Sequence, residues 1–266
     1  MRIALAQILA GTDPAANLAL VADYTTRAAD GGARLVVFPE ATMCRFGVPL
    51  RPVAEPLDGS WADAVRGIAA DAGVTVFAGM FTPAPNGRVF NTLLATGAGV
   101  EASYDKIHLY DAFGFAESDT VAPGHDPVVV TVDDVGVGMT LCYDIRFPYL
   151  YTELADRGAS VITVSASWGA GPGKLDQWTL LARARAMDSG CFVAGAGQGY
   201  PGPELAALRA PTGVGGSLVA SPVGEVLASA GPDPELVFCD VDVGALPAIR
   251  DTVGVLTNRV RRDTAQ

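Results

Sequence analysis

Apolar residues in this chain fall into short runs bounded by Gly, Pro and Asp, with longer Ala- and Leu-rich segments between them. Ile3–Leu9 is apolar except at Gln7, the pattern of a strand buried on both faces. Asp13-Pro14 reads as a helix start, because Asp can accept from the first free N–H groups and Pro has none to leave unpaired. Ala15–Ala29 is the predicted helix, and Gly31-Gly32 stops it. Leu35–Phe38 is the next strand, ended by Pro39-Glu40, so the chain opens as a β-α-β unit.

The same reading places a helix at Trp61–Ala72 and strands at Val74–Met80, Phe90–Thr96, Ala102–Lys106 and Val128–Val132. Asn86-Gly87 and Gly97–Gly99 are hairpin-like turns. Val135–Leu141 is a strand that runs directly into Cys142. Helices at Tyr149–Asp156 and Leu175–Ser189 alternate with strands at Val161–Ser165 and Phe192–Ala196. Gly216–Ala220, Glu225–Leu227 and Leu236–Val241 look like short antiparallel strands. This predicts an α/β layered protein. So many strands crowd one open sheet, so two packed sheets with helices outside are expected. No linker or compositional break appears, and residues 1–266 read as one domain. The tail from Leu246, with Arg250, Arg259, Arg261 and Arg262, reads as a surface arm or part of a subunit interface.

The formal net charge of −11 argues against nucleic acid or an anionic membrane surface as partner. No apolar run approaches the roughly 20 residues that span a bilayer. The cysteines Cys44, Cys142, Cys191 and Cys239 are widely spaced, and the histidines are only His108 and His125. That spacing suggests no disulfide framework and no metal site, and no cofactor is expected where a thiol, a carboxylate and an ammonium can supply the chemistry. A cytoplasmic, reducing location is expected.

Three reactive residues directly follow apolar strands: Glu40 in LVVFPE, Lys106 in YDKIHL and Cys142 in MTLCYDIR. Ligands in α/β folds bind outside the carboxyl ends of strands. A thiol nucleophile, a carboxylate base and an ammonium beside a developing oxyanion together suit acyl transfer through a thioester. A helix beginning just after Cys142 would favour its thiolate. Each residue also has a plainer reading: Cys142 as packed core, Glu40 as a cap, Lys106 paired with Asp105 or Asp111 at the surface. His108 reads as structural, and Asp144 with Arg146 as an ion pair beneath the nucleophile. At most one of Arg183 and Arg185 faces a site. A Ser-His-Asp hydrolase lacks its G-x-S-x-G turn here. The glycines of Trp168–Lys174 do not complete a phosphate loop, since Trp168 and Leu175 stand where Gly and Ser or Thr belong.

VVFPEATMCRFG, YDKIHLYDAFGFAESDTVAPG, LCYDIRFPYLYTELADRGA and SASWGAGPGKLDQWTLLARARAMDS, in this order, resemble the carbon–nitrogen hydrolase (nitrilase) superfamily over nearly the whole chain. The resemblance implies a four-layer α-β-β-α sandwich and a Glu-Lys-Cys triad, here Glu40, Lys106 and Cys142. A further family glutamate maps onto Glu117. It also implies an oxyanion donor at the Tyr143 backbone, and a pocket wall at Ser167 and Trp168 with the following glycine loop. A homodimer or higher homo-oligomer through Tyr149–Asp156 and Leu175–Ser189 is implied as well. The look is nearest to deaminated glutathione amidases, then to ω-amidases acting on α-ketoglutaramate. Other aliphatic amidases, nitrilases and a non-catalytic interaction protein stand further off. Substrates of the first two kinds are small carboxylate-bearing amides, so a cationic clamp is expected, with Arg45, Arg146 and Lys174 as candidates.

Overall fold

The computed structural model describes residues 1–112, 114–208 and 210–260. Phe113, inside one of the quoted motifs, and Arg261 and Arg262 of the tail lie outside them. In chain order the first strands and helices are β1 (Arg2–Gln7), α1 (Pro14–Asp30), β2 (Leu35–Val37), α2 (Ser60–Ala72), β3 (Thr75–Pro83), β4 (Val89–Gly97) and β5 (Val100–Asp105). Three short strands follow: β6 (Asp111–Ala112), β7 (Phe115–Ala116) and β8 (Val121–Ala122). Next come β9 (Val129–Val132), β10 (Val135–Leu141), α3 (Pro148–Asp156), β11 (Val161–Ala166), α4 (Lys174–Ser189) and β12 (Phe192–Gly197). The chain continues through α5 (Pro203–Ala206), β13 (Leu218–Ala220), β14 (Val226–Ser229), β15 (Glu235–Asp240), α6 (Leu246–Val253) and α7 (Val255–Asn258).

Among the described residues the strands form two large sheets. One runs β15-β1-β2-β3-β4-β5, with β8 beside β4; the other runs β14-β13-β12-β11-β10-β9. The centre of each is parallel, β1-β2-β3 in one and β10-β11-β12 in the other. Strand alternation sorts the side chains. Ile3 and Leu5 of β1 join Val37, Phe77, Met139, Leu141 and Ala196 in the core between the sheets. Ala4, Ala6 and Ile8 point the other way, against Val21 of α1 and Trp61 and Val65 of α2. On the second sheet Ile162 and Val164 pack outward on Leu154 of α3 and Trp178 of α4. The result is the four-layer α-β-β-α arrangement.

The local signals act as expected. The Asp13 carboxylate accepts the Ala15 N–H at 2.9 Å with Pro14 in the first turn of α1. Asn86, at φ 60°, turns β3 into β4. Two short pairings were not predicted: the β6–β7 hairpin, and β8 beside β4. The tail is not a free arm over its described length. It forms α6, and Arg250 donates to the Gly190 and Ala159 carbonyls at 2.9 and 2.8 Å. Arg259 pairs with Asp156 of α3. No helix among the described residues is long and apolar enough to cross a membrane.

Candidate active site

Glu40 sits just past β2, in a turn whose next residue, Ala41, takes φ 59°. Thr42 holds this turn by donating to the Pro39 carbonyl at 2.7 Å. The turn lies against Gly79 of β3, where a Cβ would stand 2.7 Å from the Ala41 nitrogen, so only glycine permits the approach. Lys106 follows β5 and stays in register with β4 by donating its backbone N–H to Asn91 at 2.9 Å. Cys142 follows β10 at φ 42°, a left-handed conformation that is costly for a side chain bearing Cβ.

These strand ends converge. Lys106 Nζ donates to Glu40 Oε1 at 2.9 Å and to Glu117 Oε2 at 2.8 Å, with all three residues at most 2 % exposed. The Asn91 side chain donates to the same two carboxylates at 2.8 and 3.1 Å. The Ser167 N–H meets Glu40 Oε2 at 3.0 Å, and the Tyr110 N–H meets Glu117 Oε2 at 2.7 Å. Burial works against the Lys106 charge, yet the Glu117 and Glu40 carboxylates outweigh it and hold the ammonium well above its ordinary range. Lys106 is therefore not a surface lysine paired with Asp105 or Asp111.

The thiol is not stabilised as an anion. Burial pushes Cys142 well above the ordinary thiol value, and the Glu40 charge adds to this while Lys106 opposes it. The α-helix expected directly after Cys142 starts further along the chain. Residues Cys142–Arg146 form a 3₁₀ turn, and α3 begins only at Pro148. The site thus holds a buried thiol beside the Glu40 carboxylate, on one cavity floor.

Beneath the turn, Asp144 is fully buried and accepts from the Leu141 N–H at 2.8 Å, Tyr104 OH at 2.7 Å and the His108 backbone N–H at 3.0 Å. His108 Nδ1 lies 2.7 Å from the same carboxylate. Asp144 therefore pairs with His108 rather than with Arg146, and His108 is structural. Neither helix arginine reaches the pocket. Arg185 holds the nucleophile turn through the Ile145 carbonyl at 3.0 Å, and Arg183 donates to the Gly224 carbonyl.

Glu40, Lys106, Glu117 and Cys142 form the floor of a cavity of about 410 Å³. Tyr143, Arg146, Ser167, Trp168 and Lys174 line it as well. Arg146 lies 5.1 Å over the Trp168 ring and 5.8 Å from the Tyr143 ring. Its Nη2 donates to Gln177 at 3.1 Å, while its buried Nε has no hydrogen-bond partner. Burial and the Arg146 charge lower Lys174. Arg45 is a correction: it does not line this cavity, and its guanidinium folds back onto the Phe46 carbonyl at 2.9 Å. Sequence reasoning missed Asn91, the Pro211 wall and Gln198, whose amide donates to the Glu40 carbonyl at 3.1 Å. Among the described residues no group of His, Cys, Asp and Glu side chains could hold a metal ion.

The carbon-nitrogen hydrolase family model matches residues 2–251. A hydrolase of Mycobacterium tuberculosis is 65 % identical, over 100 % of this chain and 99 % of its own. The deaminated glutathione amidase of Escherichia coli O157:H7 is 31 % identical over 91 % of both chains. Among solved structures, a mutant amidase from Nesterenkonia sp. AN1 matches with a TM-score of 0.81 and 27 % identity, covering 97 % of this chain and 94 % of that one. That structure carries the acetamide moiety of fluoroacetamide covalently on its active-site cysteine.

Proposed function

Because the chain belongs to the carbon–nitrogen hydrolase family, we propose that it hydrolyses a small carboxylate-bearing amide through a thioester on Cys142, with deaminated glutathione as the leading candidate. The observation that carries this reading is the convergence of Glu40, Lys106 and Cys142 on one buried floor. The buried floor suits this chemistry, because burial favours the protonated thiol until a base takes the proton, and Glu40 lies on the same floor.

Cys142 Sγ attacks the amide carbon as Glu40 takes the thiol proton. The carbonyl oxygen becomes an oxyanion between the Tyr143 N–H and Lys106. Two of the three ammonium N–H groups are engaged by Glu40 and Glu117, leaving the third for this oxygen. One such donor is commonly worth about 3 kcal/mol. The C–N bond then breaks, and Glu40 returns the proton to the departing nitrogen. Water, deprotonated by Glu40, attacks the thioester, and the thiol leaves as Glu40 gives the proton back. Glu117 holds Lys106 in place and meets the Tyr110 backbone.

Arg146, with its unpartnered buried Nε, and Lys174 supply the positive charge for a substrate carboxylate. We further infer a homodimer through the outer faces of α3 and α4, where Tyr149, Leu180 and Met187 stand exposed. A light-scattering mass near the monomer's 27.3 kDa would contradict it. All four cysteines are free, which agrees with a reducing cytoplasm.

The test is intact-protein mass spectrometry during turnover of α-ketoglutaramate, deaminated glutathione, glutamine, asparagine and a simple nitrile, with wild type and Cys142→Ala side by side. A transient acyl adduct in wild type only is expected, with amine or ammonia released. Turnover that survives Cys142→Ala would overturn the mechanism.

A further inference from the structure

Resting on the amidase reading above, we infer that the substrate's leaving group carries a carboxylate of its own, and that Arg51 and Arg88 receive it in a groove that adjoins the catalytic cavity. The groove is about 1120 Å³ and open to solvent. Phe46, Phe115 and Glu117 line both spaces, so the groove adjoins the catalytic cavity at these side chains.

Arg51 begins a 3₁₀ turn ahead of α2, and Arg88 closes the turn between β3 and β4. Both line the groove, on either side of Gly87, which has φ 74°. A Cβ there would lie 3.3 Å from Arg51 Nη1, so the bare backbone lets that guanidinium lie against the turn that Arg88 closes. Among the described residues neither arginine forms an ion pair, whereas Arg2, Arg34, Arg66 and Arg157 each do. In a chain of net charge −11, two uncompensated guanidinium groups on one concave surface mark a place for an anion. Among the described residues that line the groove, the acidic side chains are Glu117, whose charge Lys106 meets, and exposed Asp119.

The two cationic regions divide the substrate. Arg146 and Lys174 stand with Trp168 on the wall of the inner cavity and suit an acyl group bearing a carboxylate. Ammonia, the leaving group of a primary amide, would leave Arg51 and Arg88 idle. An extended dipeptide on the leaving nitrogen places its terminal carboxylate about 7 Å further out. The substrate class is therefore a secondary amide joining an acidic acyl group to a short peptide acid.

Two measurements test this. In the first, cysteinylglycine and its C-terminal carboxamide are titrated into the Cys142→Ala protein. The carboxylate form should bind about tenfold more tightly, and Arg51→Gln/Arg88→Gln should erase the difference. In the second, the same double variant in the active enzyme should raise KM for deaminated glutathione about tenfold and leave α-ketoglutaramate kinetics unchanged, which also shows that the variant is folded. Equal effects on both amides, or no preference for the carboxylate over the carboxamide, would overturn the inference and leave the amidase reading standing. Failure of both amides to acylate Cys142 in wild type would sink the two together.

Discussion

Asn91 donates its side-chain amide to Glu40 at 2.8 Å, from the middle of β4, and the same nitrogen reaches Glu117 at 3.1 Å. One neutral group thus ties together two buried carboxylates that share a single ammonium. The cluster sets two carboxyl groups, Glu40 and Glu117, against the single ammonium of Lys106, so each neutral donor matters. Asn91→Leu should cost about 1–3 kcal/mol in urea unfolding, the penalty for stranding a buried acceptor. It should also lower kcat/KM at least about tenfold, since the base and the ammonium lose their fixed spacing. Asn91→Asp, which adds a third acid, should be the less stable of the two. Wild-type stability and kinetics in either variant would mean that Lys106 alone orders the site.

Removing the ammonium tests the same cluster from the other side. Lys106→Met leaves Glu40 and Glu117 facing each other without a cation, and breaking a buried pair this way commonly costs about 3–5 kcal/mol. Adding Glu117→Gln to Lys106→Met should restore part of that stability and none of the activity. The check is a double-mutant cycle on unfolding free energies with acyl-enzyme formation followed in parallel. Additive stability losses would show that the two side chains do not act as a unit.

The sequence made Glu40, Lys106 and Cys142 visible because each directly follows a buried apolar run, where a chargeable residue stands out. Asn91 was hidden for the opposite reason: it lies inside a strand that also carries Thr92 and Thr96, so one more polar residue drew no notice. Asn is depleted in strand interiors, and that was the available signal. Arg45 was misplaced because nearness to a motif in sequence fixes no direction. Gly47, at φ 95°, follows Phe46, and the guanidinium stays with its own turn. Pro211 reaches the cavity from the connection between β12 and β13, which no local pattern aims there. The tail carried a readable signal: Pro247 in the first turn and Gly254 at the stop mark α6.

Cys142 itself is predicted to be strained. At φ 42° a residue with a Cβ lies in the left-handed region, at a cost of roughly 1–2 kcal/mol that glycine does not bear. Cys142→Gly should therefore unfold at a higher urea concentration than Cys142→Ala, although it removes one more carbon from a packed site. Both should be inactive. An alanine variant as stable as the glycine variant would show that the turn relaxes once the sulfur is gone.

The buried thiol also gives stability a pH dependence whose sign is fixed. Burial and the Glu40 charge raise Cys142 above its ordinary value of 9.0, so the folded state holds this proton more tightly than the unfolded chain does. The contribution is then complete below about pH 9 and is lost as pH climbs toward the raised folded value. Cys44, Cys191 and Cys239 are raised by burial too and act in the same direction, as does Lys106 at still higher pH. A single unfolding curve cannot separate them, but the difference between wild type and Cys142→Ala can. Measured in urea from pH 7 to about pH 10, where the lysine and tyrosine titrations that begin are common to both proteins, wild type should lose stability more steeply than Cys142→Ala. Parallel curves would mean that the thiol ionises in the folded protein as readily as in the unfolded chain. A thiol at its ordinary value of 9.0 is still mostly protonated at pH 7, so that result would remove the shift caused by burial and Glu40 but not the proton transfer to Glu40.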